Sequence, residues 1–397
     1  MRLPIAIAAI AFATPTFAFA QELDLDFDSF DFDEGSEVII DESPEPSLEI
    51  SVSAGLSYGG VGSLTQNWAA QVNLANEHSL GSLGYLEWAA NAAIVNDVVR
   101  FDLSRVHLQN SSGDFSWKLG KYRIGWGEIE GAPVLDVINS GLSFGGSGLP
   151  SDELPGQWFV GLDYFSNSVT FASFVGVAPE VTHIAPTAAS TDMEFGVKAN
   201  TAIESGSVSV YAAQLVPQAG VVDLGSFTSH ATPYTLAGIS ANRSFGNMLV
   251  EVDVAGKFGL QRSTAAALSS HDRVDAALGL EYAASNTLQV SAAVVGQHWL
   301  EQADVYLQPG GYVSPQTSGN YIFGVSDALM DGKLSVSANM LGTLDNSTSV
   351  TALSASYAYS DRLEFGASAM WMGADAGTPL ETMDGFTQYG LTSTFRF

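Results

Sequence analysis

The stretch 248–256, Met-Leu-Val-Glu-Val-Asp-Val-Ala-Gly, decides the fold because apolar and polar residues alternate in it. Successive side chains of a β-strand point to opposite faces, so one face here is Met, Val and Gly while the other carries Glu251 and Asp253. The same period recurs along most of the chain, clearly at 48–58, 68–74 and 274–282. The sequence therefore predicts an all-β fold of many strands, each with one apolar face.

We predict an antiparallel transmembrane β-barrel of 16 to 18 strands, with 18 the best count. A soluble sandwich would bury the apolar faces between two sheets, whereas a membrane barrel turns them to lipid and keeps a polar lumen. Backbone groups in lipid must all be paired, which requires a closed sheet. The predicted strands are 47–58, 64–76, 80–94, 97–109, 114–126, 157–166, 168–178, 191–202, 205–216, 234–244, 247–258, 272–284, 287–299, 318–328, 333–343, 349–360, 363–372 and 385–397.

The predicted connections alternate between short and long. Tight turns are expected at 166–167, 203–205, 245–246, 285–286, 330–332 and 360–362, and longer loops at 127–156, 179–190, 217–233, 259–271, 300–317 and 373–384. Outer-membrane barrels have short periplasmic turns and long external loops. The order therefore predicts that both termini lie in the periplasm, with short external turns near 59–63 and 95–96 as exceptions.

Composition excludes several other classes of protein. The 397 residues are 46 % hydrophobic and only 14 % charged, yet no run of 18 apolar residues occurs beyond the N-terminus, which excludes a bundle of transmembrane helices. The net charge of −29 makes binding to nucleic acid very unfavourable. The chain has no cysteine, which excludes disulfides, zinc–thiolate sites and cysteine nucleophiles.

The N-terminus predicts export. Arg2, an apolar run over 3–17 and the small-residue site Ala18-Phe19-Ala20 form a signal peptide over residues 1–20. Residues 21–46 are predicted to be an acidic, disordered periplasmic tail before a barrel over 47–397, since the segment 21–49 holds twelve acids and no Lys or Arg. The alternative is that this tail docks on a basic patch or binds divalent cations.

The last strand carries an assembly signal. Tyr389, Leu391, Ser393, Phe395 and the terminal Phe397 share one face. This pattern resembles the C-terminal signature of Gram-negative outer-membrane barrels. The resemblance implies insertion into the cell outer membrane by the barrel-assembly machinery, with outer-membrane lipid as a partner.

A cluster of basic residues lies between residues 100 and 123. Five of the chain's 14 Lys and Arg fall there: Arg100, Arg105, Lys118, Lys121 and Arg123. Facing the lumen, they would oppose Asp163, Glu194, Glu251, Asp253 and Glu281, and opposed charge across a pore orients dipolar solutes and filters ions. The alternative is structural pairing, in which Asp102 and Glu128 neutralise the cluster and Lys118 lies at the periplasmic rim.

The strand pattern within this cluster is irregular. Tyr122, Ile124 and Trp126 are expected to face lipid, which turns Lys121 and Arg123 inward and requires a bulge near Gly120. The candidates for pore lining or constriction are therefore Arg100, Asp102, Arg105, Lys121, Arg123, Glu128, Asp163, Glu251, Asp253 and Glu281.

Here the chain resembles a group of poorly characterised, porin-like proteobacterial barrels. Residues 118–128 are similar to that group's LxxGRQxxxWGE strand, 134–139 to its Asp-x-Ile/Val-Asn-Pro run, and Gln157-Trp158 to the start of its next strand. Lys121, Tyr122 and Ser140 depart from the group's Arg, Gln and Pro. The resemblance covers residues 97–166 and implies a barrel. Some members of the group are linked by genome context to export of lipid or hydrophobic compounds.

The loop 127–156 predicts a constriction, because thirty residues without period in a compact protein are usually functional. We expect it to fold into the pore, with an external flap as the alternative. The sequence predicts a porin-like channel for passive diffusion of small hydrophilic solutes or ions, weakly cation-preferring. The alternatives are a transporter of a hydrophobic or lipid-like compound, and a structural or adhesive barrel with a plugged lumen.

Catalysis is not expected. The chain has no GxSxG motif, and none of its six histidines neighbours a candidate nucleophile. No cofactor is expected. A metal-site hypothesis rests on external-loop histidines that could converge, namely His183, His230, His271 and His298. Monomer and trimer are both compatible with the sequence.

Overall fold

The computed structural model describes residues 48–397 except 130, 140–155, 178, 180, 182–185, 187–191, 224, 265–266, 302–306, 309–311, 314, 346 and 379. The signal peptide and acidic tail predicted over residues 1–46 lie outside the described residues. The strands are β1 (Leu48–Val61), β2 (Thr65–Ser79), β3 (Tyr85–Val95), β4 (Val98–Ser112), β5 (Phe115–Tyr122), β6 (Gln157–Phe165), β7 (Thr170–Val177), β8 (Met193–Ile203), β9 (Gly206–Leu215), β10 (Val221–Asp223), β11 (Thr228–His230), β12 (Tyr234–Phe245), β13 (Met248–Ser263), β14 (Leu268–Ala283), β15 (Gln289–Trp299), β16 (Leu307–Gln308), β17 (Tyr312–Val313), β18 (Thr317–Leu329), β19 (Leu334–Thr343), β20 (Thr348–Ser360), β21 (Leu363–Ala374) and β22 (Phe386–Arg396). Two short 3₁₀ helices occupy Gly81–Leu83 and Glu381–Met383.

Eighteen of these strands form one closed antiparallel sheet. Each strand pairs with its neighbour along the chain, and β1 pairs with β22 over Ser51↔Arg396 to Val61↔Phe386, which closes the barrel. The hairpins β10–β11 and β16–β17 are additions within the connections β9–β12 and β15–β18. The predicted all-β barrel and the best count of 18 strands are confirmed.

The alternation of residues produces two different barrel faces. Large apolar side chains cover the outer face, including Val52, Val72, Val160, Val197, Ile239, Leu278 and Leu353. Their lumen-side neighbours along the strands are small or polar, as Ser53 beside Val52 and Asp253 beside Val252 show. The C-terminal face Tyr389, Leu391 and Phe395 also lies outward and exposed.

The connections differ between the two barrel ends. The end that carries the tight connections such as 204–205 and 246–247 is termed the short-turn end, and the opposite end the long-loop end. Asn96 and Asp97, at the long-loop end, both have positive φ, 47° and 68°. Two such residues form the type I′ turn whose twist suits a tight hairpin. Within the described residues, no helix is long and apolar enough to span a membrane.

Several strand boundaries differ from the prediction. Strands β13 and β14 extend to Ser263 and back to Leu268, so the predicted loop 259–271 is mostly strand. Strand β5 ends at Tyr122 instead of 126, and this early end positions the candidate site.

Candidate functional site: the barrel lumen and its inward segment

The chain leaves the barrel wall after Tyr122 and rejoins it at Gly156. The Gly156 N–H donates to the Ser104 carbonyl over 2.8 Å, beside the end of β5. A Cβ at Gly156 would lie 2.6 Å from the carbonyl carbon of Tyr122, so only glycine fits this crossing of two chain segments. Between these points, residues 123–129 and 131–139 fold into the lumen, and we term them the lumen segment. The inward fold expected for loop 127–156 is thus found in the part that the structure describes.

Apolar side chains pack the lumen segment against the wall. Trp126, Val134, Leu135 and Ile138 belong to the main hydrophobic cluster of the protein. The Trp126 ring centroid lies 5.5 Å from that of Phe174 on β7 and 5.1 Å from that of Tyr211 on β9. Burying side chains of this size stabilises the inward position by about 1.5–3 kcal/mol each.

Glycines in the wall make room for these side chains. A Cβ at Gly238 on β12 would lie 2.4 Å from Leu135 Cδ2, and one at Gly279 on β14 would lie 3.1 Å from Ile129 Cγ1. A larger residue at Gly238 would have to displace Leu135. The wall therefore matches the shape of the segment that it holds.

Three side chains of the barrel wall, Asp253, Ser240 and Asn242, anchor the first part of the lumen segment to β12 and β13. The Asp253 carboxylate accepts the backbone N–H of Glu128 at 3.1 Å and that of Ile129 at 3.4 Å. The Glu128 carboxylate accepts the Ser240 hydroxyl at 2.8 Å and the Asn242 amide. Hydrogen bonds to a charged partner contribute about 1.5–3 kcal/mol each. Asp253 and Glu128 therefore position the segment.

The second part is held by groups that the sequence analysis missed. Lys257 Nζ donates to the Pro133 carbonyl at 2.8 Å and forms an ion pair with Asp275 at 2.7 Å. The side chains of Lys257 and Asp275 are 2 % and 0 % exposed, and Arg273 Nε lies 2.7 Å from the other Asp275 oxygen. Lys257 shares the lumen face of β13 with Asp253. The alternation of side chains along the strand could therefore have identified it as a lumen residue.

Further along, amide side chains hold the end of the lumen segment. Gln157 Nε2 donates to the Ile138 carbonyl at 2.6 Å. Asn139 bonds to both backbone groups of Ile124, donating at 2.8 Å and accepting at 2.9 Å, and the Gln218 amide donates to the Asn139 carbonyl. These bonds satisfy backbone polar groups that strand pairing no longer satisfies.

Part of the predicted basic cluster is paired locally. Arg105 Nη1 lies 2.9 Å from Glu87 Oε1, a partner missed from the sequence, and His107 lies 3.0 Å from the second oxygen of Glu87. Lys121 Nζ is 3.9 Å from Asp102, as the pairing alternative expected. Glu128 instead contacts β12, so it does not neutralise this cluster.

The other candidates lie apart from one another around the barrel. Arg100 shares the lumen face of β4 with Asp102, and Asp163 and Glu281 lie half-buried on the lumen faces of β6 and β14. Glu251 is buried on β13, two residues from Asp253. Glu194 is also buried, on β8, where it accepts the Val216 N–H at 2.8 Å.

Two expectations about the strand pattern are wrong. Tyr122 and Trp126 are buried in the lumen cluster, with Ile124 packed against it, and none of them lies on the outer face. Pairing is continuous through Gly120, and the bulge instead lies in β4, where Ser104 has no counterpart between Ala89 and Ala90. The apolar alternation continued past the point where β5 ends, which made lumen packing look like contact with lipid.

Arg123 and Asp136 are oppositely charged residues within the lumen segment. The Asp136 side chain is exposed to the lumen yet lies deep inside the barrel. Removal from bulk water raises the pKa of the Asp136 carboxyl to about 6, and the charge of the Arg123 guanidinium acts in the opposite direction.

The opposite side of the lumen is chemically different, and we term it the neutral wall. It comprises the lumen faces of β20, β21, β22, β1, β2 and β3, which are described throughout. Hydroxyl and amide side chains dominate it, including Ser354, Ser368, Thr392, Thr394, Ser51, Ser53, Ser57, Gln71, Asn73 and Asn91. Its charged lumen-side residues, namely Glu49, Glu77, Glu87, Glu364 and Arg396, all lie toward the short-turn end.

The histidines show no metal-binding arrangement in the described part of the chain. His230 shares a hydrogen bond with Thr228, His298 with Thr317, and His271 with Glu301 at 2.6 Å. Among the described residues, no group of three or more His, Cys, Asp or Glu could hold a metal ion. His183 lies outside the described residues, so the four-histidine hypothesis stays a prediction.

No family model matches the chain, and no curated protein matches it in sequence. Solved structures match in fold. The Pseudomonas aeruginosa OccD3 (OpdP) structure is 11 % identical over 88 % of this chain and 91 % of that chain, with a TM-score of 0.56. The Pseudomonas aeruginosa OccK2 (OpdF) structure in complex with glucuronate is 11 % identical over 89 % and 98 %, with a TM-score of 0.57. Acinetobacter baumannii OccAB1 is 8 % identical over 89 % and 96 %, with a TM-score of 0.54. These similarities extend over almost the whole described barrel and, at such low identity, show a shared fold.

Proposed function

We propose that the protein is an outer-membrane channel for passive diffusion of small hydrophilic solutes or ions. The observation that carries the proposal is the asymmetric lumen. The lumen segment narrows the barrel from one side through the contacts of Trp126, Glu128 and Pro133, all on strands opposite the neutral wall. Ser354 and Ser368 of the neutral wall are exposed, so polar groups line the lumen on the side away from the segment. The fold similarity to Occ outer-membrane channels supports this proposal.

The outer face supports membrane insertion. An apolar surface on a closed sheet suits lipid, because no backbone edge needs water. We propose that a cleaved signal peptide exports the chain, that both termini lie in the periplasm, and that the outward C-terminal residues Tyr389, Leu391, Phe395 and Phe397 are read by the barrel-assembly machinery. Their exposure on β22, next to the closing contact with β1, is compatible with such reading.

Weak cation preference is part of the proposal. Arg105 and Lys121 are engaged by Glu87 and Asp102, so less free positive charge faces the lumen than the count of basic residues indicated. Carboxylates such as Glu281 and Asp163 remain on the lumen face, in a chain of net charge −29. Fixed negative charge raises the local concentration of cations.

The test is conductance of the refolded protein in planar bilayers, with the reversal potential under a salt gradient. We expect discrete current steps that scale linearly with voltage. The reversal potential should have the sign of a channel that passes cations more readily than anions. Insertion without conductance would contradict the proposal and favour a plugged, structural barrel. Insertion without conductance, together with uptake of a fluorescent fatty acid, would favour a transporter of hydrophobic compounds.

A further inference from the structure

The side chains of the neutral wall indicate which solutes the lumen favours. The hydroxyl and amide groups of this wall interact with each other from strand to strand. The Asn91 amide donates to Asn73, Asn73 donates to Ser51 Oγ at 3.2 Å, and Ser53 and Thr394 share a hydrogen bond of 2.8 Å. Across β19 and β20, Ser337 and Ser354 share one of 2.6 Å. The wall therefore holds linked groups of neutral donors and acceptors, of which Ser53 and Thr394 are buried, while Val350, Met370 and Met372 form an apolar cluster toward its long-loop end.

Charge on this wall is confined to one end, where Glu87, Glu364 and Arg396 form ion pairs. Arg396 Nη1 donates to Glu364 at 2.8 Å, and Glu364 also accepts the Ser356 hydroxyl. Glu87 is occupied by Arg105 and His107. A carboxylate solute moving along the middle of the wall would lose part of its hydration. The wall has no basic side chain there to compensate for that loss.

A polyhydroxylated solute has the opposite balance. Each solute hydroxyl both donates and accepts, as do the Ser, Thr, Asn and Gln side chains of the wall. On entering the constriction the solute gives up hydrogen bonds with water, and bonds to the neutral wall replace them. No charge has to be desolvated. The apolar side chains of the lumen segment pack against the strands on its own side of the barrel, so the neutral wall supplies neutral hydrogen-bonding groups from the other side.

We infer that the solutes favoured by this lumen are uncharged polyhydroxylated molecules, in preference to carboxylates of the same size. This inference rests on the proposed function, because it specifies the solute of the same lumen. The solute inferred for this lumen differs from the ligand of the fold neighbour OccK2, whose structure was solved with glucuronate.

The experiment compares two molecules that differ at one carbon. Proteoliposomes holding the full-length barrel take up radiolabelled glucose or glucuronate, with the membrane potential clamped at zero by potassium and valinomycin. Glucose is expected to enter at least about threefold faster, roughly the effect of one neutral hydrogen bond on a barrier. Glucuronate entering as fast as glucose, or faster, would overturn the inference.

Variants localise the effect to the neutral wall. Asn73→Leu removes one amide of similar size and is expected to slow glucose about threefold. The matched control is Asn200→Leu, because Asn200 lies on the lumen face of β8 and donates to Ser209 at 2.8 Å, away from the neutral wall. We expect the control to leave both fluxes unchanged. Equal slowing of glucose by both variants would refute a special role for the neutral wall.

Two further measurements keep the outcomes separate. Asn73→Lys is expected to reverse the preference, so that glucuronate enters faster than glucose. If Asn73→Leu does not show the heat-modifiable band of a folded barrel, Ser354→Val is used in its place. Conductance is measured on the same vesicles. A barrel that conducts no ions contradicts the proposed function itself, whereas a conducting barrel that prefers glucuronate contradicts only the inference about the solute.

Discussion

Asp253→Asn is expected to loosen the constriction. The carboxylate of Asp253 anchors the N–H groups of Glu128 and Ile129 at 3.1 and 3.4 Å, at a completely buried position. Asn keeps the shape and one acceptor oxygen but loses the charge. Two bonds of about 1.5–3 kcal/mol each would weaken by a net of about 2–3 kcal/mol, once the retained oxygen is considered. The fraction of time that residues 127–129 spend detached then rises roughly 30- to 150-fold.

Single-channel recording in planar bilayers at pH 8 measures this change. We expect transitions from the parent conductance to a higher level, because the detached residues widen the lumen while Lys257 and Gln157 still hold 133 and 138. The matched control is Asp163→Asn, which removes the same charge from the lumen face of β6, six residues beyond the anchor Gln157. It should shift ion selectivity without new conductance levels.

The reasoning would be refuted by an Asp253→Asn channel that opens and closes like the Asp163→Asn channel. Such a result would mean that apolar packing around Trp126 and Leu135 alone fixes the segment. Circular dichroism and the unboiled band in electrophoresis confirm that both variants are folded before they are compared.

Three other predictions test the assembly signal and the charges of the lumen. Deleting Phe397 should reduce the heat-modifiable barrel in outer-membrane fractions, since the outward terminal aromatic is proposed as the assembly signal; unchanged amounts would show that it is not used. Cation preference from reversal potentials should be weak at low salt and fade near ~1 M, where the Debye length falls to ~3 Å, and Lys121→Ala with Arg123→Ala should strengthen it; a double variant identical to the parent would place these charges outside the ion path. Because removal from bulk water raises the pKa of Asp136 to about 6, the lumen should gain one negative charge and cation preference should increase as the pH rises through about 6; Asp136→Asn should make that step smaller, and a step of unchanged size would assign it to other groups.

The barrel could be predicted from sequence because period two depends only on which side chains face lipid and lumen. All 18 strands were found this way, including β13 around Glu251 and Asp253. The departure at Tyr122 could not be predicted in the same way. Apolar residues at alternate positions have the same pattern whether they face lipid or pack inside a barrel, so Trp126 was assigned to the wrong surroundings.

The charge pairs of the site depend on register, which the pattern alone does not give. Arg105 reaches Glu87 because the bulge at Ser104 shifts β4 by one residue against β3. Lys257 and Asp275 meet on neighbouring strands, and their pairing depends on the β13–β14 register. Candidate residues could thus be named from the sequence, whereas their partners required the structure.

The closing contact between β1 and β22 has a consequence for how the chain could be cut and rejoined. Phe397 N–H donates to the Ile50 carbonyl at 3.0 Å, so the first and last strands of the barrel end side by side. A short linker between 397 and 48 would make the wall a ring with no privileged starting strand, and a new opening at the tight 246–247 turn would give a circular permutant with every strand pair intact. In that permutant Phe397 would no longer be the terminal residue. The barrel would keep its strand pairing but lose the C-terminal assembly signal, so the two could be tested separately.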